Sequence, residues 1–264
     1  MSDRPRRSRW LLRPPDPESA RRIFCLPYSG GGASMYRNWP RHIGDTEVCA
    51  VQLPGRENRM REKPHDTYPA LAADLIEGIA EYLDRPFGFF GHCGSALAAY
   101  ETAAQLAARG GPVPEIVFIS SQVAPHDGPF GTFFGMSDAQ LAEELRALGR
   151  SMGSEPPPDM IDLTLELMRT DMAANAVYHL DQPPRLPCRI AAIGWSEDPS
   201  ITPAMMTGWD RCGQTTFHTL PGGHYQFLHA PAELVRLLDW TVTEPDLSRD
   251  DHLAGTSTTD RRTP

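Results

Sequence analysis

Six short strand-like runs, most of them separated by helical periodicity, constrain the fold of this chain more than any other feature. They are Ile23–Leu26, Val48–Leu53, Phe87–Phe90, Ile116–Ser120, Arg189–Ile193 and Thr215–Leu220. Most are apolar at consecutive rather than alternate positions, the pattern of strands buried on both faces. Helical periodicity appears at Tyr68–Leu83, Ala96–Ala108, Asp138–Leu148, Met160–Val177 and Gln226–Trp240. Buried strands joined by helices imply an α/β class, a mostly parallel sheet covered by helices on both faces. With 264 residues, 40% of them hydrophobic, the chain can bury such a core in one domain.

One interval breaks the rhythm. Between Ser120 and Arg189 the pattern is helical, interrupted by Gly and Pro, with no strand. So long an insertion between two sheet strands is expected to be a helical lid over a site, at about 125–185. It carries Met136, Met152, Met160, Met168 and Met172, half of the chain's 10 Met. Flexible thioethers suit a greasy substrate channel and ordinary packing of small helices equally. At the ends, the Arg/Pro-rich residues 1–20 are expected to be a flexible leader, 21–242 the folded domain, and the polar residues 243–264 a disordered tail.

A net charge of −9 argues against nucleic acid or an anionic membrane surface as the partner. Trp10-Leu11-Leu12 is too short for a signal segment, and nothing approaches the roughly 18 apolar residues of a membrane span. The expected location is the cytoplasm. The five cysteines (Cys25, Cys49, Cys93, Cys188 and Cys212) form no Cys-x-x-Cys pair, so neither a zinc site nor a disulfide framework is expected. Cys25, Cys49 and Cys188, in or beside apolar runs, read as small buried side chains. Cys93 does not.

The segment Phe87-Gly88-Phe89-Phe90-Gly91-His92-Cys93-Gly94-Ser95-Ala96-Leu97 runs from a strand into a helix. A nucleophile on such a turn stands above the sheet and needs small neighbours, which Gly91 and Ser95 supply. Two later loops could complete a site. The strand ending at Ile193 is followed by Gly194-Trp195-Ser196-Glu197-Asp198-Pro199, and the one ending at Leu220 by Pro221-Gly222-Gly223-His224-Tyr225. Nucleophile, acid, histidine is the chain order of α/β-hydrolases. His224 would serve as the base for Cys93, and Asp198 would orient it, with Glu197 and Asp127 as rivals. Leu26-Pro27-Tyr28-Ser29-Gly30-Gly31-Gly32 follows the first strand, where that fold places its oxyanion loop. The backbone donors would be Ser29 and Gly94. As a phosphate cradle the same loop lacks the Gly-Lys-Ser/Thr ending and the dinucleotide glycine spacing. Tyr28, His92 and Tyr225 flank these residues and are candidates for substrate contact.

Together these pieces resemble the type II thioesterases that accompany polyketide and nonribosomal peptide synthetases. The matches are Pro27-Tyr28-Ser29-Gly30-Gly31, Leu53-Pro54-Gly55-Arg56, Gly91-His92-Cys93-Gly94-Ser95-Ala96 with Tyr100-Glu101, the loop at Asp198-Pro199, Pro221-Gly222-Gly223-His224, and Ala124-Pro125-His126. The family's elbow reads Gly-His-Ser-Met-Gly-Ala, so this chain departs from it at Cys93, Gly94 and Ser95. The resemblance implies an α/β-hydrolase fold with a helical lid. It also implies a substrate class, acyl groups held as thioesters on the phosphopantetheine of an acyl or peptidyl carrier protein. No metal or bound cofactor of its own is implied, and the chain is expected to act as a monomer.

A cysteine changes the intermediate. Acyl transfer from a carrier thiol to Cys93 exchanges one thioester for another and is nearly balanced in energy, whereas a serine would form a less activated oxyester. Hydrolysis, transfer of the acyl or aminoacyl group to a second carrier thiol or an amine, and a non-catalytic carrier-binding role are three distinct expectations. Arg56, Arg59, Arg61 and Lys63 could form a basic docking patch for an acidic carrier. A solvated loop, with Glu57 and Glu62 interspersed, fits equally well.

Overall fold

The computed structural model describes residues 8–131, 133–151 and 156–240. In chain order the elements are β1 (Arg21–Cys25), β2 (His42–Ile43), β3 (Thr46–Ala50), α1 (Tyr68–Ile79), β4 (Phe87–His92), α2 (Gly94–Ala108), β5 (Ile116–Ser120), α3 (Asp138–Ser151), α4 (Pro158–Val177), β6 (Arg189–Trp195), β7 (Gln214–Leu220) and α5 (Ala232–Leu238). The seven strands form one sheet in the order β2-β3-β1-β4-β5-β6-β7. Only the β2–β3 pair is antiparallel. This is the α/β-hydrolase type of fold, and α3 and α4 lie in the expected interval between β5 and β6.

Alternate residues of the central strands enter opposite halves of the core. Phe24, Phe89, Val117, Ile119 and Ile190 pack with α1 and α2. Ile23, Cys25, Phe90, Phe118 and Ile193 pack with Trp39, Phe227 and Leu234 on the other face. Helix α1 starts where Thr67 caps it, its hydroxyl accepting from the Ala70 N–H at 3.4 Å, with Pro69 in the first turn. The chain runs from β1 outward to β3, then crosses to β4 on the opposite side of β1. The strand order therefore reverses at β1 and β4, and their carboxyl ends open on the crevice where such sheets place their sites.

Three expectations need correction, and one short strand was not foreseen. β7 is an exposed edge strand rather than a buried one, since Thr, His and Gln dominate its outward positions and only β6 pairs with it. The final helical pattern is broken into a 3-10 turn at Gln226–His229 and α5, because Ala230 adopts φ 46° and Pro231 follows. The two-residue β2 has too few residues to leave a periodic signal. The later part of the leader is packed rather than loose: Trp10 and Leu11 are buried, Leu11 bridges Val51, and the Arg59 guanidinium lies 4.3 Å from the Trp10 ring. The tail at 243–264 lies outside the described residues. Among the described residues no helix is long and apolar enough to cross a membrane. No cluster of three His, Cys, Asp or Glu there could hold a metal ion.

Candidate active site

Cys93 joins β4 to α2 with φ 57° and ψ −135°, a conformation costly for any residue with a side chain. Three contacts hold it. The Cys93 N–H donates to Ser120 O at 2.9 Å. A Cβ on Gly91 would stand 2.6 Å from Ala96 N, so glycine is required there. Ser95, in place of the second glycine, accepts from the His92 N–H at 3.0 Å and bonds the His92 and Leu26 carbonyls at 3.0 and 3.3 Å. Its hydroxyl thus ties the turn to the end of β1.

Asp198 and His224 come together from the ends of β6 and β7. Backbone bonds zip the two loops, Ser196 N–H to Leu220 O and Glu197 N–H to Gly222 O, each 2.9 Å. Gly222, at φ 115°, provides a turn that side chains rarely adopt. His224 Nδ1 lies 2.7 Å from Asp198 Oδ2, which also accepts from Ser121 Oγ at 2.8 Å. The other carboxylate oxygen accepts from the Ser200 and Ile201 amides at 2.9 and 3.1 Å. Burial pushes the Asp198 pKa up, but the His224 hydrogen bond and charge, with these amides, outweigh it and hold the carboxyl well below its usual range. Burial likewise pushes His224 down, yet the hydrogen bond to Asp198 and the neighbouring Cys93 raise it from the ordinary 6.5 to about 9. Its Nε2 is buried without a hydrogen bond of normal geometry, and the Cys93 sulfur is the neighbour that acts on it.

The sign of the His224 shift predicts a pH effect. A raised pKa contributes stability that is complete below about pH 6.5 and lost as the pH climbs through about 9. The urea midpoint is expected to fall across that window in the native chain. In His224→Gln the fall should be much shallower.

The glycine-rich loop after β1 is held by the insertion. The Gly30 N–H donates to Asp171 Oδ2 of α4 at 2.8 Å, and Gly31 N–H to Tyr28 O at 2.8 Å. Ser29 N–H and Gly94 N–H donate to no described residue, so both amides are available. Arg56 clamps the same place: its guanidinium meets both Asp171 oxygens, at 3.0 and 3.1 Å, and the Gly31 carbonyl at 3.0 Å. Arg56 and Arg59 are both buried, the second paired with Glu62 at 2.6 Å. Their charge is therefore spent internally, and of the expected basic patch only Arg61 and Lys63 stay exposed.

Cys93 is 2% exposed and packs with Phe133, Leu141, Ile161, Leu165 and Met168. Met136, Met172 and Tyr225 border this cluster. Met160 instead is half-exposed, and Met152 lies outside the described residues. Tyr28 and Tyr225 stand side by side, ring centres 6.0 Å apart. His92 lies deeper. It is fully buried, stacked on Phe227 at 3.9 Å, 4.5 Å from the His224 ring, with Nδ1 2.8 Å from Ser120 Oγ. This places it behind His224, away from the apolar cluster above the thiol. Glu197 is exposed, and Asp127 is an exposed partner of His126.

The sequence carried no sign of Ser121 and Asp171 as parts of this site, because each acts on a residue 77 or more positions away. The one available signal was Arg56 in the Leu-Pro-Gly-Arg segment, without its partner.

A model of the thioesterase domain matches residues 21–240. Linear gramicidin dehydrogenase LgrE of Brevibacillus parabrevis is 34% identical over 248 residues, 89% of this chain and 93% of that protein. Among solved structures, the RedJ thioesterase from the prodiginine biosynthetic pathway in Streptomyces coelicolor has a TM-score of 0.71 at 35% identity, covering 88% of this chain and 93% of that one. The type II thioesterase BorB from the borrelidin biosynthetic cluster has a TM-score of 0.73 at 30% identity, covering 87% and 96%. On the match to residues 21–240, this chain belongs to the thioesterase family, and it is a thioester hydrolase by family.

Proposed function

We propose that this chain acts on acyl groups carried as thioesters on the phosphopantetheine of a carrier protein in polyketide or nonribosomal peptide biosynthesis. In this reading Cys93 is the nucleophile. The observation that carries it is the placement of its thiol on the turn between β4 and α2, with the buried His224–Asp198 pair against it. His224 holds the proton of the thiol and returns it to the departing carrier thiol. Asp198 fixes the ring with Nδ1 engaged. The Ser29 and Gly94 amides receive the carbonyl oxygen as it gains charge, and each such donor is typically worth about 3 kcal/mol. The pathway is inferred from the relatives named for prodiginine and borrelidin biosynthesis.

The balance is simple. Carrier thioester and Cys93 thiol become S-acyl-Cys93 and free carrier thiol; water then gives the acid and regenerates the cysteine. A second reading is favoured by the nucleophile itself: a thioester intermediate passes to another carrier thiol as readily as it formed. Helices α3 and α4, whose apolar side chains close over the thiol, act as the lid.

The test is to incubate the protein with acyl-loaded carrier and a distinguishable empty carrier and to follow intact masses. A mass gain of one acyl group on the chain, absent in Cys93→Ala, is expected. Free acid without loading of the second carrier identifies hydrolysis; acyl on the second carrier identifies transfer. Turnover without acyl ever appearing on Cys93 in rapid-quench samples, or no turnover at all, would overturn the cysteine mechanism.

A further inference from the structure

We propose that Ser121 is a positioning residue for the reaction, one that sets Asp198, and through it His224, in register with the Cys93 thiol. The proposal rests on the reading of Cys93, His224 and Asp198 as the working triad.

Two adjacent residues at the carboxyl end of β5 reach both halves of the site. The Ser120 carbonyl accepts the Cys93 N–H at 2.9 Å and so carries the elbow. The Ser121 hydroxyl donates to Asp198 Oδ2 at 2.8 Å and so carries the acid. The other partners of Asp198 come from elsewhere. The Ser200 and Ile201 amides belong to its own loop, and His224 to the loop after β7. Among these partners Ser121 is the one that reaches the acid from β5, the strand that also holds the nucleophile's turn.

The backbone shows what this contact requires. Ser121 adopts φ 47°, in the left-handed region that a residue with a side chain rarely occupies and that glycine enters freely. It is fully buried, and its N–H donates to the Ile193 carbonyl at 3.0 Å, so the neighbouring strand fixes the conformation. Glycine would relieve this turn. Serine keeps the strain and adds one group, the hydroxyl, which it spends on Asp198. Cys93 itself, at φ 57°, is the other strained residue of the site. Strain of this kind gathers where the surroundings dictate a functional residue's position.

The hydroxyl also acts on charge. Its positive end lies against the oxygen that holds His224 Nδ1, so it competes with the imidazolium for the carboxylate. Removing it leaves that oxygen wholly to His224 and tightens the ring's hold on its proton. The other groups that face the ring are Cys93, the Tyr225 phenol and His92, which burial keeps neutral. All three stay in place when Ser121 is changed.

The test uses two variants of the full chain, Ser121→Ala and Ser121→Gly, with one acyl-loaded carrier as substrate. Alanine removes the hydroxyl and keeps the strained φ; glycine removes both. Each is expected to lower kcat ~10-fold with KM for the loaded carrier unchanged, the effect of loosening a reacting pair rather than a binding surface. In both, the limb of the kcat/KM profile that His224 governs should move to higher pH. The urea midpoints should diverge, with Ser121→Gly above Ser121→Ala, because a Cβ at positive φ is the strained one. Activity would then follow the hydroxyl and stability the backbone. Native kcat in either variant, an unmoved pH limb, or activity that returns in glycine together with stability would overturn the positioning role and leave the triad reading intact. Asp198→Ala with native turnover would overturn both.

Discussion

Cys93→Ala is expected to lower thioester turnover by ~10⁴-fold or more, the scale on which removing a nucleophile collapses a triad enzyme while binding survives. Steady-state release of carrier thiol measures it. Cys93→Ser is the more informative variant. Its acyl-enzyme would be an oxyester, so passage to a second carrier thiol becomes uphill while attack by water still proceeds. Transfer is therefore expected to disappear before hydrolysis does. If Cys93→Ser transfers acyl groups between carriers as well as the native chain, the sulfur is not what sets the acceptor.

The second large effect concerns the clamp that joins α4 to the glycine-rich loop. Asp171→Ala leaves the Arg56 guanidinium, on a residue 6% exposed, without its carboxylate, and frees the Gly30 amide. Breaking one side of a buried ion pair costs about 3–5 kcal/mol. A marked fall in the urea midpoint should follow. The double variant Arg56→Met with Asp171→Leu should recover much of that stability, since well-packed apolar pairs often replace buried ions without loss. It should not recover turnover, because the Gly30 amide would still lack its acceptor and Ser29 would lose its set position. Equal recovery of stability and turnover would reduce the clamp to a structural tie.

Much of the site was legible because the chain punctuates it. Gly91 before Cys93, Pro199 after Asp198 and the Gly222-Gly223 pair before His224 each follow an apolar run, so strand end and functional residue could be located together. The strand Ile116–Ser120 and the insertion behind it were legible for the same reason. The rest depended on docking. Asp171 and Asn175 lie one turn apart on α4, and nothing in their spacing shows that one meets Arg56 and the other approaches Gly94. Arg56 and Arg59 looked like solvent charge because a sequence shows a cation but not its distant partner. β7 was expected inside on hydrophobic pattern alone, although its threonines and His218 suit an edge.

The near-complete burial of Cys93 carries a consequence for timing. On the reading of Cys93 as the acylated residue, an acyl group on its sulfur would lie under helices α3 and α4, and water or a carrier arm would reach it only if those helices moved. The same displacement would admit both. The fate of the intermediate would then be decided by which acceptor occupied the mouth when it opened, and so by the local concentration of empty carrier. In a crowded synthetase the protein would relay acyl groups; on its own it would discard them.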